Sequence, residues 1–257
     1  MNNQKYIFQW PGNDRCKYNI GDYFSNYLLD KLYDKALLDD FAERKQMVLI
    51  GTQLPAWITR YRLYCGVGLI QEVAEKYNIQ QDSICYVRGK ITRDILVNNM
   101  KFVALKNVPM GDNGILASLL YAPKKKTKKK YDVGIVLHWS QVNKQKQILK
   151  EAKKTLPGKK VQVRCMSDVT CTCEDLFDFI MSCKVIVSSS LHGIIFAHSF
   201  GVPALCWHGE ISSKFKDYYS VYDGISYDEL NEIVAFDKVL GYTNDETFIS
   251  KVNPTPK

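Results

Sequence analysis

Four short apolar runs alternate with helix-length stretches in the second half of this chain, and this pattern limits the fold more than any other feature. "YDVGIVLHW", "KVQVRCM", "KVIVSS" and "PALCW" are separated by "KQKQILKEAKKTL", "CEDLFDFIMSC" and "LHGIIFAHSFG". Strand-length runs this apolar need cover on both faces, and the helices between them supply it. The order β-α-β-α-β-α-β therefore predicts a parallel sheet. The first half has the same grammar. "YIFQW" reads as a strand, "GDYFSNYLLDKLYDKALL" as an amphipathic helix, and "MVLIG", "RLYCGVG" and "SICYVRG" as apolar runs ending in glycine. Between the halves lies "PKKKTKKK", Pro123 to Lys130, too self-repulsive to pack and read as a solvated linker. The expected fold is α/β: two doubly wound Rossmann-like domains facing each other across a cleft. They span residues 1–122 and 132–257 with a linker over 123–131, the final segment packing back on the first domain.

The formal charge of +8 is concentrated in that linker. A nucleic-acid surface interleaves basic residues with aromatics along one element, and the run contains no aromatic, so no nucleic-acid partner is expected. Attraction to an anionic glycan or a membrane surface is the functional alternative to a plain linker. No apolar run approaches the roughly 20 residues that a bilayer requires, and the first thirty residues lack the apolar centre of a signal peptide. A soluble, cytoplasmic protein follows as the expectation. Cys16, Cys65, Cys85 and Cys206 each stand alone among apolar or aromatic neighbours and read as small core residues. "CMSDVTCTC" brings Cys165, Cys171 and Cys173 close in sequence, with Cys183 beyond. Its one close pair has a single intervening residue, unlike the usual zinc spacing, so reduced thiols and no metal are expected.

In open parallel sheets ligands sit beyond the carboxyl ends of the strands, so the strand-to-helix junctions are the places to look for chemistry. "SSSLHG" is such a junction. A helix amino terminus presents unpaired N–H groups and positive partial charge to a phosphate or carboxylate. Ser189, Ser190 and the Leu191 backbone can add donors, His192 falls in the first turn where it can exchange a proton, and Gly193 permits close backbone approach. The competing reading is that a serine merely caps the helix while His192 donates to a carbonyl. "NIGDYFS" places Gly21 and Asp22 before the first helix, with Asp22 as a natural N-cap. "YVRGKITRDIL" ends a strand at Val87 and offers Arg88, whose planar fork can grip a carboxylate or phosphate; a surface ion pair with Asp94 is the alternative. "VPMGDNGIL" reads as a turn, and "GVGL" lacks the third glycine of a dinucleotide fingerprint. His138 ends a strand of the second half. His198 reads as packing or exposed, and His208 as a loop residue.

In this order the motifs resemble the polysaccharide pyruvyl transferase family. "NIGDYFSNYLLDKL" is similar to its opening Asn-x-Gly-Asp segment, and "VLIGTQL" and "YCGVG" to two glycine-bearing strand ends. "YVRGKITRDIL" is similar to its Val-Arg-Gly-x-x-Thr-Arg segment, "GDNGIL" to a Gly-Asp-Pro turn, and "VGIVLHW" to its second-domain opening strand. "SCKVIVSSSLHGIIFAHSFGVPAL" matches best, and "SKFKDYY" is similar to a downstream Lys-Phe-x-Asp-Tyr-Tyr. Asn113 stands where the family more often has proline. The resemblance implies a glycosyltransferase-B-like fold. It also implies transfer of the pyruvyl group of phosphoenolpyruvate to a sugar or glycan acceptor, forming a ketal and releasing phosphate, with phosphoenolpyruvate as co-substrate and no other cofactor. His192 is then the expected acid or base, and Arg88, Ser189, Ser190 and Leu191 the donor ligands. Asp22, His138 and Lys214 are donor- or acceptor-binding candidates. Peripheral contact with a lipid-linked acceptor is compatible with the composition. An enzyme of this fold with a nucleotide-sugar donor, or a non-catalytic glycan-binding module, are the alternatives.

Overall fold

A computed structural model describes residues 19–32, 46–51, 62–69, 81–123, 128–168, 170–207, 212–225 and 236–255. The strand expected at "YIFQW", Cys16 and His208 lie outside them. In chain order come helix α1 (Ile20–Leu32) and strands β1 (Gln46–Val48), β2 (Arg62–Val67) and β3 (Ile84–Val87), followed by α2 (Lys90–Asp94) and α3 (Ala117–Leu120). The second half continues with β4 (Tyr131–Leu137), α4 (Gln145–Thr155), β5 (Val161–Cys165), α5 (Cys173–Met181), β6 (Cys183–Ser188), α6 (Leu191–Ser199) and β7 (Ala204–Cys206). Helices α7 (Ser213–Tyr219), α8 (Phe236–Tyr242) and α9 (Glu246–Val252) close the chain.

The described residues fall into two compact units. One holds Gly21–Asn113 with Ser213–Val221; the other holds Gly114–Ser212 and Tyr222–Lys257, together with Asn19 and Ile20. The division therefore lies at Asn113–Gly114, upstream of the lysine run. A local cause is visible in α3: the Ser118 N–H donates to Ser199 Oγ at 2.8 Å, and Ser199 Oγ donates to the Ile115 carbonyl at 2.8 Å, which ties this segment to the end of α6.

The first unit carries a parallel sheet in the order β1-β2-β3. Val48, Tyr64, Val67, Ile84, Val87 and Leu96 form its core. Helix α1 begins at Ile20, so Asp22 lies inside the first turn and not at the N-cap, the position that Asn19 takes. Cys85 departs from the core expectation: alternation along β3 turns it outward, exposed, where it hydrogen-bonds with the Cys65 thiol of the neighbouring strand. "VPMGDNGIL" is more than a turn. Met110 bridges to Val87, and the Asn113 side chain donates to Leu49 O at 2.6 Å and Cys65 O at 3.0 Å while accepting from Tyr86 Oη at 2.5 Å. Proline at 113 has no side-chain group for these bonds.

The second unit carries an all-parallel sheet in the order β5-β4-β6-β7, with α4, α5 and α6 as crossovers in the expected succession. Helix α5 starts with a capping box: the Asp175 N–H donates to Thr172 Oγ1 at 3.1 Å, and the Thr172 N–H donates to Asp175 Oδ2 at 2.9 Å. Helix α6 is buried from Leu191 through Ala197, which explains its lack of a polar face.

Candidate active site

The order β5-β4-β6-β7 fixes where a ligand crevice opens in the second unit. From β4 the chain crosses to β5 on one side, and from β6 it crosses to β7 on the other, so the loops after β4 and β6 diverge at a topological switch point. The first of these loops begins with His138, and the second is Ser189–Ser190.

The three serines have separate tasks. Ser188 Oγ faces the Val136 carbonyl at 2.8 Å and the Ser190 carbonyl at 2.9 Å, and accepts from the Ser190 N–H at 3.0 Å, closing the turn on itself. Ser189 Oγ accepts from the His138 N–H at 2.9 Å and donates to Gln141 Oε1, joining the two loops. Ser190 is the N-cap of α6, yet its side chain makes no capping bond. Neither its hydroxyl nor the Leu191 N–H bonds to any described residue. The helix start therefore keeps donors available, which sets aside the simple capping reading. Polar groups survive at the centre of an apolar segment because the Ser188 and Ser189 hydroxyls are saturated, and the backbone N–H and carbonyl of Ser190, itself 4% exposed, are both engaged by Ser188 Oγ.

His192, in the first turn of α6, is 8% exposed and its ring stacks against Phe196 at 6.0 Å between centroids. The His138 side chain caps the following 3-10 turn: Nδ1 lies 2.8 Å from Ser140 Oγ and 3.4 Å from the Ser140 backbone nitrogen. Gly193 serves packing. A Cβ there would stand 2.3 Å from Ser188 Oγ and 2.8 Å from Val136 Cγ1, so glycine lets α6 lie close against β4 and β6.

In the first unit Arg88 is completely buried, 0% exposed. Its partner is not Asp94, which pairs with Arg93 at 2.7 Å, but Asp217 of α7, whose Oδ2 accepts from Arg88 Nε at 3.0 Å. The same carboxylate accepts from the Thr92 N–H at 2.8 Å and Thr92 Oγ1 at 2.7 Å, so Asp217 caps α2 from a distant segment. Gly68 and Gly89 make room: a Cβ on Gly68 would meet Arg88 Nη2 at 2.0 Å, and one on Gly89 would meet the Asp217 carbonyl at 1.8 Å. "GVGL" thus seats a guanidinium. Of the other candidates, Asp22 is partly buried on α1, and Lys214 lies on α7 with Nζ 5.5 Å from the Phe215 ring centroid.

The structure brings His138, Ser189, Ser190, Leu191 and His192 together at one strand edge of the second unit, while Arg88, Asp22 and Lys214 belong to the first unit. Sequence reasoning missed Asp217 and Gln141. "SKFKDYY" contained the signal for Asp217, but nothing local shows that this carboxylate is buried. His198 is a structural hydrogen-bonding residue: its Nε2 donates to Asn253 Oδ1 at 2.9 Å, and burial pushes its imidazole down to about 4. Burial likewise pushes Cys171 up to about 11, and Cys173 and Cys183 up to about 12, so these thiols are protonated near neutrality. Among the described residues no group of three or more His, Cys, Asp or Glu side chains could hold a metal ion.

Comparison with known proteins adds to this geometry. "Uncharacterized protein L143" of Acanthamoeba polyphaga mimivirus is 28% identical over 222 residues, covering 82% of this chain and 73% of that protein. The wall teichoic acid polymerase TagF, solved as its H444N variant, aligns over 86% of this chain and 71% of its own at 12% identity with a TM-score of 0.39, too slight a likeness to build on. A family model described as polysaccharide pyruvyl transferase matches residues 74–206, which span β3, the whole four-stranded sheet and the "SSSLHG" loop. The chain belongs to the polysaccharide pyruvyl transferase family.

Proposed function

We propose that this protein transfers the pyruvyl group of phosphoenolpyruvate to two hydroxyls of a sugar in a glycan or glycan precursor, forming a cyclic ketal and releasing phosphate. The observation that carries the reading is the serine-lined amino terminus of α6, uncapped by the Ser190 side chain and placed at the switch point of a sheet that lies within the family match. The donor bears a carboxylate and a phosphate, and such a terminus offers N–H donors and positive partial charge to either. The Ser190 hydroxyl and Leu191 N–H hold the donor, and Ser189, saturated by the His138 N–H and Gln141, positions the loops.

In the reaction one sugar hydroxyl adds to the enol carbon while the methylene carbon takes up a proton. A second hydroxyl then displaces phosphate as the carbon–oxygen bond to it breaks, and its proton leaves with the phosphate. His192 delivers the proton to the methylene carbon or removes one from the attacking hydroxyl, and His138 and the α6 terminus face the leaving group's charge. Arg88, Asp22 and Lys214 remain donor or acceptor candidates of the first unit; the Asp217 pair gives Arg88 a structural task as well. The test is phosphate release from phosphoenolpyruvate against a panel of galactosides, mannosides and amino sugars, with the adduct read by mass. His192→Ala is expected to lower turnover by about 100-fold or more. Ketal formation by that variant at the wild-type rate would remove His192 from the chemistry. If a nucleotide sugar raises the melting temperature and phosphoenolpyruvate does not, the donor is wrong.

A further inference from the structure

At the opposite edge of the same sheet, the segments leading into three adjacent strands are basic. Lys128, Lys129 and Lys130 precede β4, Lys159 and Lys160 precede β5, and Lys184 is the second residue of β6. The order β5-β4-β6 makes these three entries neighbours, and strands about 4.8 Å apart hold them in one row. The last turn of α4, which leads to β5, adds Lys153 and Lys154. Eight lysines thus gather where the chain as a whole carries a formal charge of +8.

Two of these lysines have internal partners: Lys184 pairs with Asp132 at 2.8 Å, and Lys129 Nζ donates to the Cys183 carbonyl at 2.6 Å. Lys128, Lys130, Lys153, Lys154, Lys159 and Lys160 are exposed, and none pairs with a described acidic residue. Asp132 has both oxygens engaged inside the patch, since its Oδ2 accepts from the Lys160 N–H at 2.8 Å. Tyr131, the residue that follows Lys130, packs on Phe179 at 5.9 Å between centroids.

We propose that this lysine row is a docking surface for an anionic phospholipid bilayer. Flexible, strongly hydrated ammonium groups on a flat edge suit diffuse, laterally mobile phosphate headgroups, and clusters of four to eight such lysines are what an anionic leaflet attracts. A nucleic acid would call for arginine forks or exposed aromatic platforms, and the row has neither. Because the carboxyl ends of the same strands lie at the other edge, docking turns His138 and the "SSSLHG" loop away from the headgroups. The surface does not depend on the reaction proposed above.

The experiment is vesicle co-sedimentation of the full chain. Vesicles of phosphatidylcholine alone are compared with vesicles containing about a third phosphatidylglycerol, at salt from about 0.1 M to about 0.5 M. Binding to the anionic vesicles only, lost at the higher salt, is expected. The combined variant Lys128→Gln, Lys130→Gln, Lys159→Gln, Lys160→Gln should bind about 600-fold more weakly, at roughly fivefold per lysine. Lys106→Gln with Lys238→Gln serves as a charge control and should bind as wild type. Equal binding to neutral vesicles, or undiminished binding by the fourfold variant, overturns the proposal. So does tighter binding to random duplex DNA or a soluble polyanionic glycan than to the anionic vesicles at the same salt. An unchanged circular dichroism spectrum and melting temperature in the fourfold variant exclude misfolding. Phosphate release by that variant with a soluble acceptor reads the proposed chemistry separately.

Discussion

Asp217 shows how much one side chain can organise. Its carboxylate accepts three hydrogen bonds, from Arg88 Nε and from both the N–H and hydroxyl of Thr92, and the Thr92 hydroxyl in turn accepts from the Leu69 N–H at 3.0 Å. Removing one partner of a buried ion pair strands the other charge, at about 3–5 kcal/mol. Asp217→Asn is therefore expected to lower stability by about 3 kcal/mol in a denaturant titration, and Arg88→Lys to lower it by less, because lysine keeps the charge and loses the fork. If Arg88→Lys weakens phosphoenolpyruvate binding at unchanged melting temperature, Arg88 contacts the donor as well. Sequence alone marked Arg88 for its guanidinium and its place at a strand end. The acid that meets it lies 129 positions away, and no local pattern links them.

At the level of elements, α6 owes its position to the absence of a side chain. Gly193 faces Ser188 Oγ and Val136, so a methyl group forces the helix off the sheet or the serine out of its turn. Gly193→Ala should cost about 1–3 kcal/mol by overpacking and disturb the "SSSLHG" loop, which makes donor binding fall along with stability. Gly158→Ala is the contrast: its added carbon meets nothing within 4 Å, but φ is +80°, so backbone strain alone sets a cost of about 1 kcal/mol. The strands and helices of the second half were legible in the sequence because period and punctuation agree there. The start of α1 was placed late, since Asp22 is a fitting cap that the chain uses instead in the first turn. Cys85 was misplaced because an apolar neighbourhood in sequence does not say which face of an outer strand a residue takes.

Across the molecule, a part-buried histidine ties the last described helix to the sheet of the second unit. His198 donates to Asn253, whose Oδ1 also accepts from the Ala204 N–H at 2.7 Å and whose Nδ2 donates to the Ile249 carbonyl at 2.8 Å, so α9 is fastened to β7 through a neutral imidazole. The folded ring titrates at about 4 against the ordinary 6.5. The unfolded chain thus binds the extra proton: stability is intact above pH 6.5 and declines as pH falls towards 4, by on the order of 3 kcal/mol. Thermal melts from pH 7.5 to 4.5 should show a steeper loss for wild type than for His198→Gln, and parallel curves would remove His198 as the cause. By itself the sequence determined the alternation of strands and helices, the parallel sheets and the family, because apolar periodicity and junction motifs are local and repeated. Only the tertiary structure decided which serine is saturated and which makes no capping bond, where the buried guanidinium finds its carboxylate, and that lysines scattered from Lys128 to Lys184 line one edge. Burial and partnership depend on residues far apart in the chain, and strand order, invisible in any single segment, brings them together.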